Sequence, residues 1–435
     1  MMKSINRIIT GLSAVLALAS FAACDSIDYP DRYKVADGKP TVYSVRYADK
    51  DVNITQAYMD EVVCLLGKNL RSVVELWFND QQATLNTSYI TDNTLLVSVP
   101  KNMPAVQTDK IYMITSASDT VTFDFAVLPP VPKVNSMSNE WAAEGEMVTI
   151  YGDFLIDDAA TPLKIAFAGA EVAHDDIVFN GSTSVSFPVP FGAQPGYVNV
   201  TTLSGTGKSR FMYKDSRNIL FDWDGSHGGL AAGHGWRNGV VHNSGDDAWA
   251  AIDGAYLYFG GADLGPGSTD AWAEDQFCFN YWPEEGTDTD ALSLRPEFAE
   301  YINTYGVSGL VLKFEALVPS TNPWMASGMQ LMFSNDASVT YGSANNNYYS
   351  DDSFPRAIWQ PWTTNGGSYD TADKWVTVSI PLSSFTKTPD NKECATNFDK
   401  SYLTGLSFFV WNGGVDGTAC SPQIAIDNIR VVPNE

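Results

Sequence analysis

The stretch VVCLLGKNL (62–70) returns further along the chain as MVTIYGDFL (147–155). Each is an apolar run of strand length that meets a glycine and then a polar–hydrophobic step. Outward from this pair, the order of motifs is the same in both copies. The first opens with PTVYSV at Pro40 and continues VELWFNDQQA (74–83), TLLVSVPKNMP (94–104) and KIYMITSASDTVTFDFAV (110–127). The second opens with PKVNSM at Pro132 and continues LKIAFAGAEV (163–172), SVSFPVPFGAQPG (184–196) and YVNVTTLSGTGKSRFMY (197–213). Gly67 corresponds to Gly152, Phe78 to Phe167 and Val99-Pro100 to Val189-Pro190, at offsets of 85, 89 and 90 residues. Such self-similarity marks a repeated domain. About six short strands per copy, separated by turn residues, specify a β-sandwich. The connector LPPVP (128–132) is stiff, because proline fixes φ.

Beyond the second copy the composition changes. Ten of the twelve tryptophans lie after residue 216, with only Trp77 and Trp141 before it. ILFDWDG (219–225), AYLYFGG (255–261), DQFCFNYW (275–282), SGLVLKFEALVP (308–319), SGMQLMFS (327–334), KWVTVSIPLSSF (374–385), TGLSFFVWNGG (404–414) and PQIAIDNIRVVP (422–433) read as strands. RPEFAEYINTYG (295–306) is the one helix, stopped by Gly306. This many alternating strands with long loops specify a jelly-roll sandwich.

The formal net charge is -25, from 26 Lys+Arg against 51 Asp+Glu. That argues against nucleic acid or another polyanion as the partner and suits a neutral ligand. The N-terminus is a targeting segment: Lys3 and Arg7 precede an apolar run (8–19) too short to span a bilayer. It ends Phe21-Ala22-Ala23-Cys24, which resembles a bacterial lipoprotein lipobox, so Cys24 is the expected lipidation site. The acidic residues behind it (Asp25, Asp28, Asp31) resemble the signal that sends Bacteroidetes lipoproteins to the outer face of the outer membrane. Of the other cysteines, Cys394 and Cys420 are read either as a disulfide or as buried thiols.

Both repeats resemble IPT/TIG immunoglobulin-like domains, in the sequence of strand–glycine, "V.F....A", "V.VP" and "V.V.T..G" motifs. The last domain resembles β-sandwich carbohydrate-binding modules, through the strand that starts at Trp375 (W.TVSIPLSSF) and the closing IAIDNIRVV. The whole chain, 1 to 435, is similar to the surface glycan-binding protein B family of Bacteroidetes polysaccharide utilisation loci. The resemblance implies an all-β chain: leader 1–23, tether 24–38, Ig-like domains 39–128 and 129–214, and a jelly-roll glycan-binding domain 215–435. It also implies a non-catalytic, outward-facing outer-membrane lipoprotein. The expected ligand is a β-linked polysaccharide of the xyloglucan or mixed-linkage glucan type, passed to a porin-type importer. The alternatives are a lipoprotein glycoside hydrolase and a surface adhesin.

An indole or phenol ring can stack on the C–H face of a pyranose without competing for its hydroxyls. Trp324, Trp359 and Trp362 lie in loop-like sequence beside Pro and polar residues and are the expected exposed stacking rings, with Tyr348 and Tyr349 in support. Trp223, Trp375 and Trp411 sit in or beside apolar strands and read as core. A hydrolase needs two carboxylates across the scissile bond; Glu274, Glu284, Glu285, Glu297, Glu300 and Glu315 are present without a catalytic motif. His227, His234 and His242 lack metal-ligand spacing, and His174 reads as a solvated loop residue. No cofactor is expected. The jelly-roll resemblance implies a structural Ca2+ near the first and last strands, with Asp222, Asp224 and Asp427 as ligands, against ordinary turn capping.

Overall fold

The computed structural model describes residues 33–231, 240–266, 276–289, 294–337, 339–340 and 346–435. The leader, Cys24 and most of the tether lie outside the described residues, as do His234, Trp236, Trp272 and Glu274. The described chain is all-β apart from short 3-10 turns and the helix Pro296–Tyr305. That helix starts with proline and stops at Gly306, whose φ of 67° suits a residue without Cβ. The chain divides between Pro130 and Val131 into two compact units.

The first Ig-like repeat places two four-stranded sheets face to face. One runs Asn53–Ile54, Thr41–Tyr47, Val62–Lys68, Thr94–Ser98; the other runs Gln81–Ala83, Val73–Phe78, Lys110–Thr115, Thr120–Asp124. Burial alternates along Lys110–Thr115, and the inward Ile111 and Met113 are fully buried, like Leu65, Leu76 and Leu95. In the second repeat a single parallel contact, Val134 to Ser209, joins the two sheets into one continuous order of eight strands. Its core includes Ile150, Ile165, Val185, Phe187 and Val200.

Gly67 and Gly152 prove equivalent in three dimensions. A Cβ on Gly67 would lie 2.0 Å from the carbonyl oxygen of Thr41, and one on Gly152 would lie 1.9 Å from that of Lys133. In both repeats the first strand bulges next to the residue paired with that glycine, between Val42 and Ser44 and between Val134 and Ser136. The glycine lets the bulged strand approach; any side chain would push it away.

The C-terminal domain is a sandwich of a six-stranded sheet and a four-stranded sheet. The larger runs Val240–Asn243, Ala255–Phe259, Ile424–Pro433, Leu310–Leu317, Val376–Pro381, with Ile219–Phe221 also paired to Ile424–Pro433. The smaller runs Cys278–Tyr281, Gly405–Val410, Met329–Ser334, Ala357–Trp359. Here burial does not alternate: Leu310–Leu317 and Ile424–Pro433 are buried at every position. In these two strands one face meets the other sheet, and the second face is covered as well.

Candidate functional site

The three loop tryptophans face the interior. Met329 pairs with Trp359 and Gln330 with Ile358, so Trp359 shares the inward side of its strand with Met329 and Leu331. Its ring meets Phe314 and Trp324, each at 5.3 Å between centroids, and Tyr369 at 5.9 Å. Trp324 is fully buried and donates its indole N–H to Ala326 O at 2.7 Å; Trp362 is 4 % exposed and donates to Ser327 O at 2.8 Å. The expected exposed platform of Trp324, Trp359 and Trp362 is therefore corrected. The loops 318–328 and 360–375 connect the two sheets at one end of the sandwich, and their rings plug that end. A proline- and asparagine-rich backbone fits an external loop, but it does not fix which way the ring points. Trp359 alone keeps part of its surface exposed.

Tyr348 and Tyr349 are likewise corrected: they are 2 % and 5 % exposed and lie against the outer face of the four-stranded sheet, with Trp282, Phe409, Cys278 and Met332. A buried phenol needs a partner for its hydroxyl. Asn280 supplies it, accepting from Tyr348 at 2.9 Å, Tyr349 at 3.0 Å and Ser407 at 2.7 Å through one side-chain oxygen. Trp282 in turn donates to the Tyr348 hydroxyl at 3.1 Å. Burial pushes both phenols above their ordinary range.

Beside them Arg356 is wholly buried, and its guanidinium donates to the carbonyls of Tyr349 (2.7 Å), Asp351 (3.1 Å), Tyr348 (3.3 Å) and Phe354 (3.3 Å). Loss of hydration pulls it down to about 10, against the raising effect of nearby acidic groups. Gln330 completes the floor, donating to Trp411 O at 2.9 Å and Pro389 O at 3.1 Å. Trp411 follows Val410, which faces inward, so its ring falls on the outer side, at the rim of this paved face. It is partly exposed, where the sequence suggested core.

These polar residues were missed in the sequence. The available signal was a lone carboxamide inside a strand otherwise apolar on both sides: Asn280 in CFNYW and Gln330 in GMQLMFS.

The opposite outer face, on the six-stranded sheet, meets the second Ig-like repeat. Glu140 enters it from the loop after the strand Lys133–Met137, accepting from Lys313 at 2.6 Å and Arg430 at 2.9 Å. Arg430 also holds Glu315, at 2.7 and 3.0 Å, and Thr377 donates to the same carboxylate at 2.9 Å. Two carboxyl groups and two cations thus form a buried quartet, which is neutral once both carboxyls are ionised. Trp141 covers it, its ring centroid 6.0 Å from the Arg430 guanidinium carbon. Burial holds the Glu315 carboxyl up at about 7 against the lowering pull of Arg430. Asp427 stands well above the carboxylate range for the same reason, reinforced by Asp253, Glu315 and Asp224. Tied to Arg430 in this way, Glu315 serves the fold.

The acids expected to bind Ca2+ accept backbone N–H groups, as turn-capping residues do. Asp222 accepts backbone N–H groups of Gly225 and His227, and Asp224 those of Ser226 and Ala255. Asp427 accepts from Asn428. Among the described residues, no three His, Cys, Asp or Glu side chains are placed to hold a metal ion. His227 and His242 each pair with an aspartate of their own, Asp253 and Asp247. Exposed His174 contacts Asp157 at 2.9 Å. Cys394 and Cys420 are not bridged; the Cys394 thiol donates to Asp352 O at 3.2 Å.

Residues 213–433 match the family model described as "Surface glycan-binding protein B xyloglucan binding domain". The crystal structure of the surface glycan-binding protein B of Prevotella bryantii superposes with a TM-score of 0.74 at 34% sequence identity, covering 92% of this chain and 100% of that one. An IPT/TIG domain-containing protein of Bacteroides ovatus is 23% identical over 124 residues, 27% of this chain and 25% of that protein. The chain thus spans about a quarter of the length of the curated relative it matches. The two Ig-like sandwiches, the terminal jelly roll, the family model over that jelly roll and the near full-length likeness agree: this chain belongs to the surface glycan-binding protein B family.

Proposed function

We propose that this chain is a non-catalytic polysaccharide-binding protein of the cell surface, and that its C-terminal sandwich holds a β-glucan of the xyloglucan or mixed-linkage type. The observation that carries this reading is the paved outer face of the four-stranded sheet, inside the segment that matches the family's xyloglucan-binding domain. Tyr348, Tyr349 and Trp282 make a buried, closely packed floor, and Trp411 presents a ring at its rim. A partly exposed ring held on a rigid support binds a sugar chain with little ordering cost. Trp359, partly exposed where the end plug meets solvent, is the one of the three loop tryptophans with surface to add. Lipidation at Cys24 would keep the protein at the outer membrane, delivering bound glycan to a porin-type importer.

Affinity electrophoresis of the full chain tests this. Gels containing xyloglucan or mixed-linkage β-glucan should retard the protein, and Trp411→Ala should weaken binding about tenfold, the equivalent of ~1.4 kcal/mol for one stacked ring. Purified protein should release no reducing ends from the same glycans. If no β-glucan or β-mannan retards it, the reading fails. Release of reducing ends would move the chain to the hydrolases, and protein-partner binding indifferent to Trp411→Ala would make it an adhesin.

A further inference from the structure

The first Ig-like repeat lies outside the segment that matches the glycan-binding family model. It nevertheless carries an open groove of about 1040 Å³. The groove runs along the lateral edge of the sandwich, where the edge strands Gln81–Ala83 and Thr94–Ser98 of the two sheets stand side by side. Over it stands Tyr89, 58% exposed. A singly exposed aromatic residue is ordinary; the mounting of this one is not. Tyr89 ends a 3-10 turn whose cap, Asn86, accepts from the backbone N–H of Ser88 at 3.0 Å through its side chain and from that of Tyr89 at 2.9 Å through its carbonyl. The next residue, Ile90, is buried and bridges Leu95. The ring is therefore held outward by a turn fixed on both sides.

The groove's polar lining is of a particular kind. Gln82, Asn86 and Asn102 contribute carboxamides, each both donor and acceptor. Its charged pair, Asp60 and Lys101, is joined at 3.1 Å and cancels. A neutral wall of carboxamides beside one presented ring is the chemistry that reads sugar hydroxyls while the ring takes the C–H face. A polypeptide strand would instead need a long open edge, and these edges are short, with Pro100 closing the longer one. A second hollow, of about 420 Å³ around the Arg71–Asp92 ion pair, shares the same turn and leaves room for a ligand longer than one sugar.

We propose that this groove is a second, weaker saccharide-binding site for a neutral oligosaccharide stretch, with Tyr89 as its stacking ring. The proposal rests on the glycan-binding reading of the C-terminal domain, which would supply the same ligand. A second site on one chain raises retention on a polymer without any tighter contact.

The test uses the full chain with xyloglucan and mixed-linkage glucan oligosaccharides, followed by native mass spectrometry and hydrogen exchange. The expected result is two binding events per chain. Tyr89→Ala should remove the weaker one and the oligosaccharide-induced protection over residues 82–102. Trp411→Ala should weaken the stronger one about tenfold and leave that protection in place. In gels of the polymer, Tyr89→Ala should lower retardation several-fold. One binding event, weakened by Trp411→Ala and indifferent to Tyr89→Ala, overturns the second site and leaves the first intact. No binding event at all defeats both readings. Protection of 82–102 by a surface polypeptide, with none from oligosaccharide, assigns the groove to a protein instead and overturns the proposal. Tyr89 is exposed, so the variant should fold; an unchanged melting curve confirms that.

Discussion

The two Ig-like repeats share strand order, bulge and glycine, yet one loop separates them in use. After the first strand of the first repeat, residues 48–53 are exposed throughout and include Asp49, Lys50 and Asp51. After the first strand of the second repeat, Asn139, Glu140 and Trp141 are all buried. Glu140 reaches Lys313 and Arg430 of the jelly roll, and the backbone N–H of Thr377 donates to Ser138 O at 2.9 Å. The second repeat accordingly shares a compact unit with the C-terminal domain, whereas the first is a unit by itself. A sandwich edge loop can be retuned from solvent to junction by a few residues, without touching the core that defines the fold.

The largest expected effect comes from breaking the junction quartet. Glu140→Ala leaves Lys313 without its carboxylate and Arg430 with Glu315 alone, so one buried charge is uncompensated, which costs about 3–5 kcal/mol. Calorimetry of the full chain at pH 8 should show the transition of the 131–435 unit falling while that of the first repeat stays in place; a common shift of both would break the contrast. Next come the paired glycines. Gly67→Ala and Gly152→Ala each force a methyl onto a backbone carbonyl and should cost about 1–3 kcal/mol or more. Chemical denaturation should find them alike, each confined to its own unit.

A pH effect should follow at smaller size. The Glu315 carboxyl is raised from 4.5 to about 7 by burial, so its protonated form favours the fold. That contribution is complete below about 4.5 and is lost as pH rises through about 7. Asp427 acts in the same direction. The 131–435 unit should therefore melt lower at pH 8 than at pH 5, relative to the first repeat. Asp427→Asn, which keeps the shape, should reduce that slope; an unchanged slope would show that Asp427 does not set it. The smallest effect is the control: alanine at Asp49 or Asp51 should move stability by no more than about 0.5 kcal/mol.

The repeats were legible in the sequence because their strands alternate and their glycines recur. Gly67 and Gly152 mark the same close approach, and the helix at 296–305 announced its glycine stop. The site was not legible, for a physical reason. Periodicity reports which side of a strand a residue takes; it does not report whether that side is covered. In Leu310–Leu317 both sides are covered, and alternation vanishes. The same gap reversed the tryptophans. Trp324 and Trp362 sit in loop sequence but seal the sandwich end, while Trp411 follows an apolar strand but steps onto its outer face. Asn280 and Arg356 escaped notice because each looks like an isolated polar residue until the tyrosines it holds are in place.

Arg356 has one more consequence. Its planar guanidinium gathers the carbonyls of Tyr348, Tyr349, Asp351 and Phe354 as a bound cation would gather oxygen ligands. Being covalently part of the chain, this centre cannot be stripped by a chelator or exchanged for a competing ion. The floor under the proposed glycan face should therefore keep its shape in calcium-poor or chelator-rich surroundings, where a metal-stapled loop would come apart.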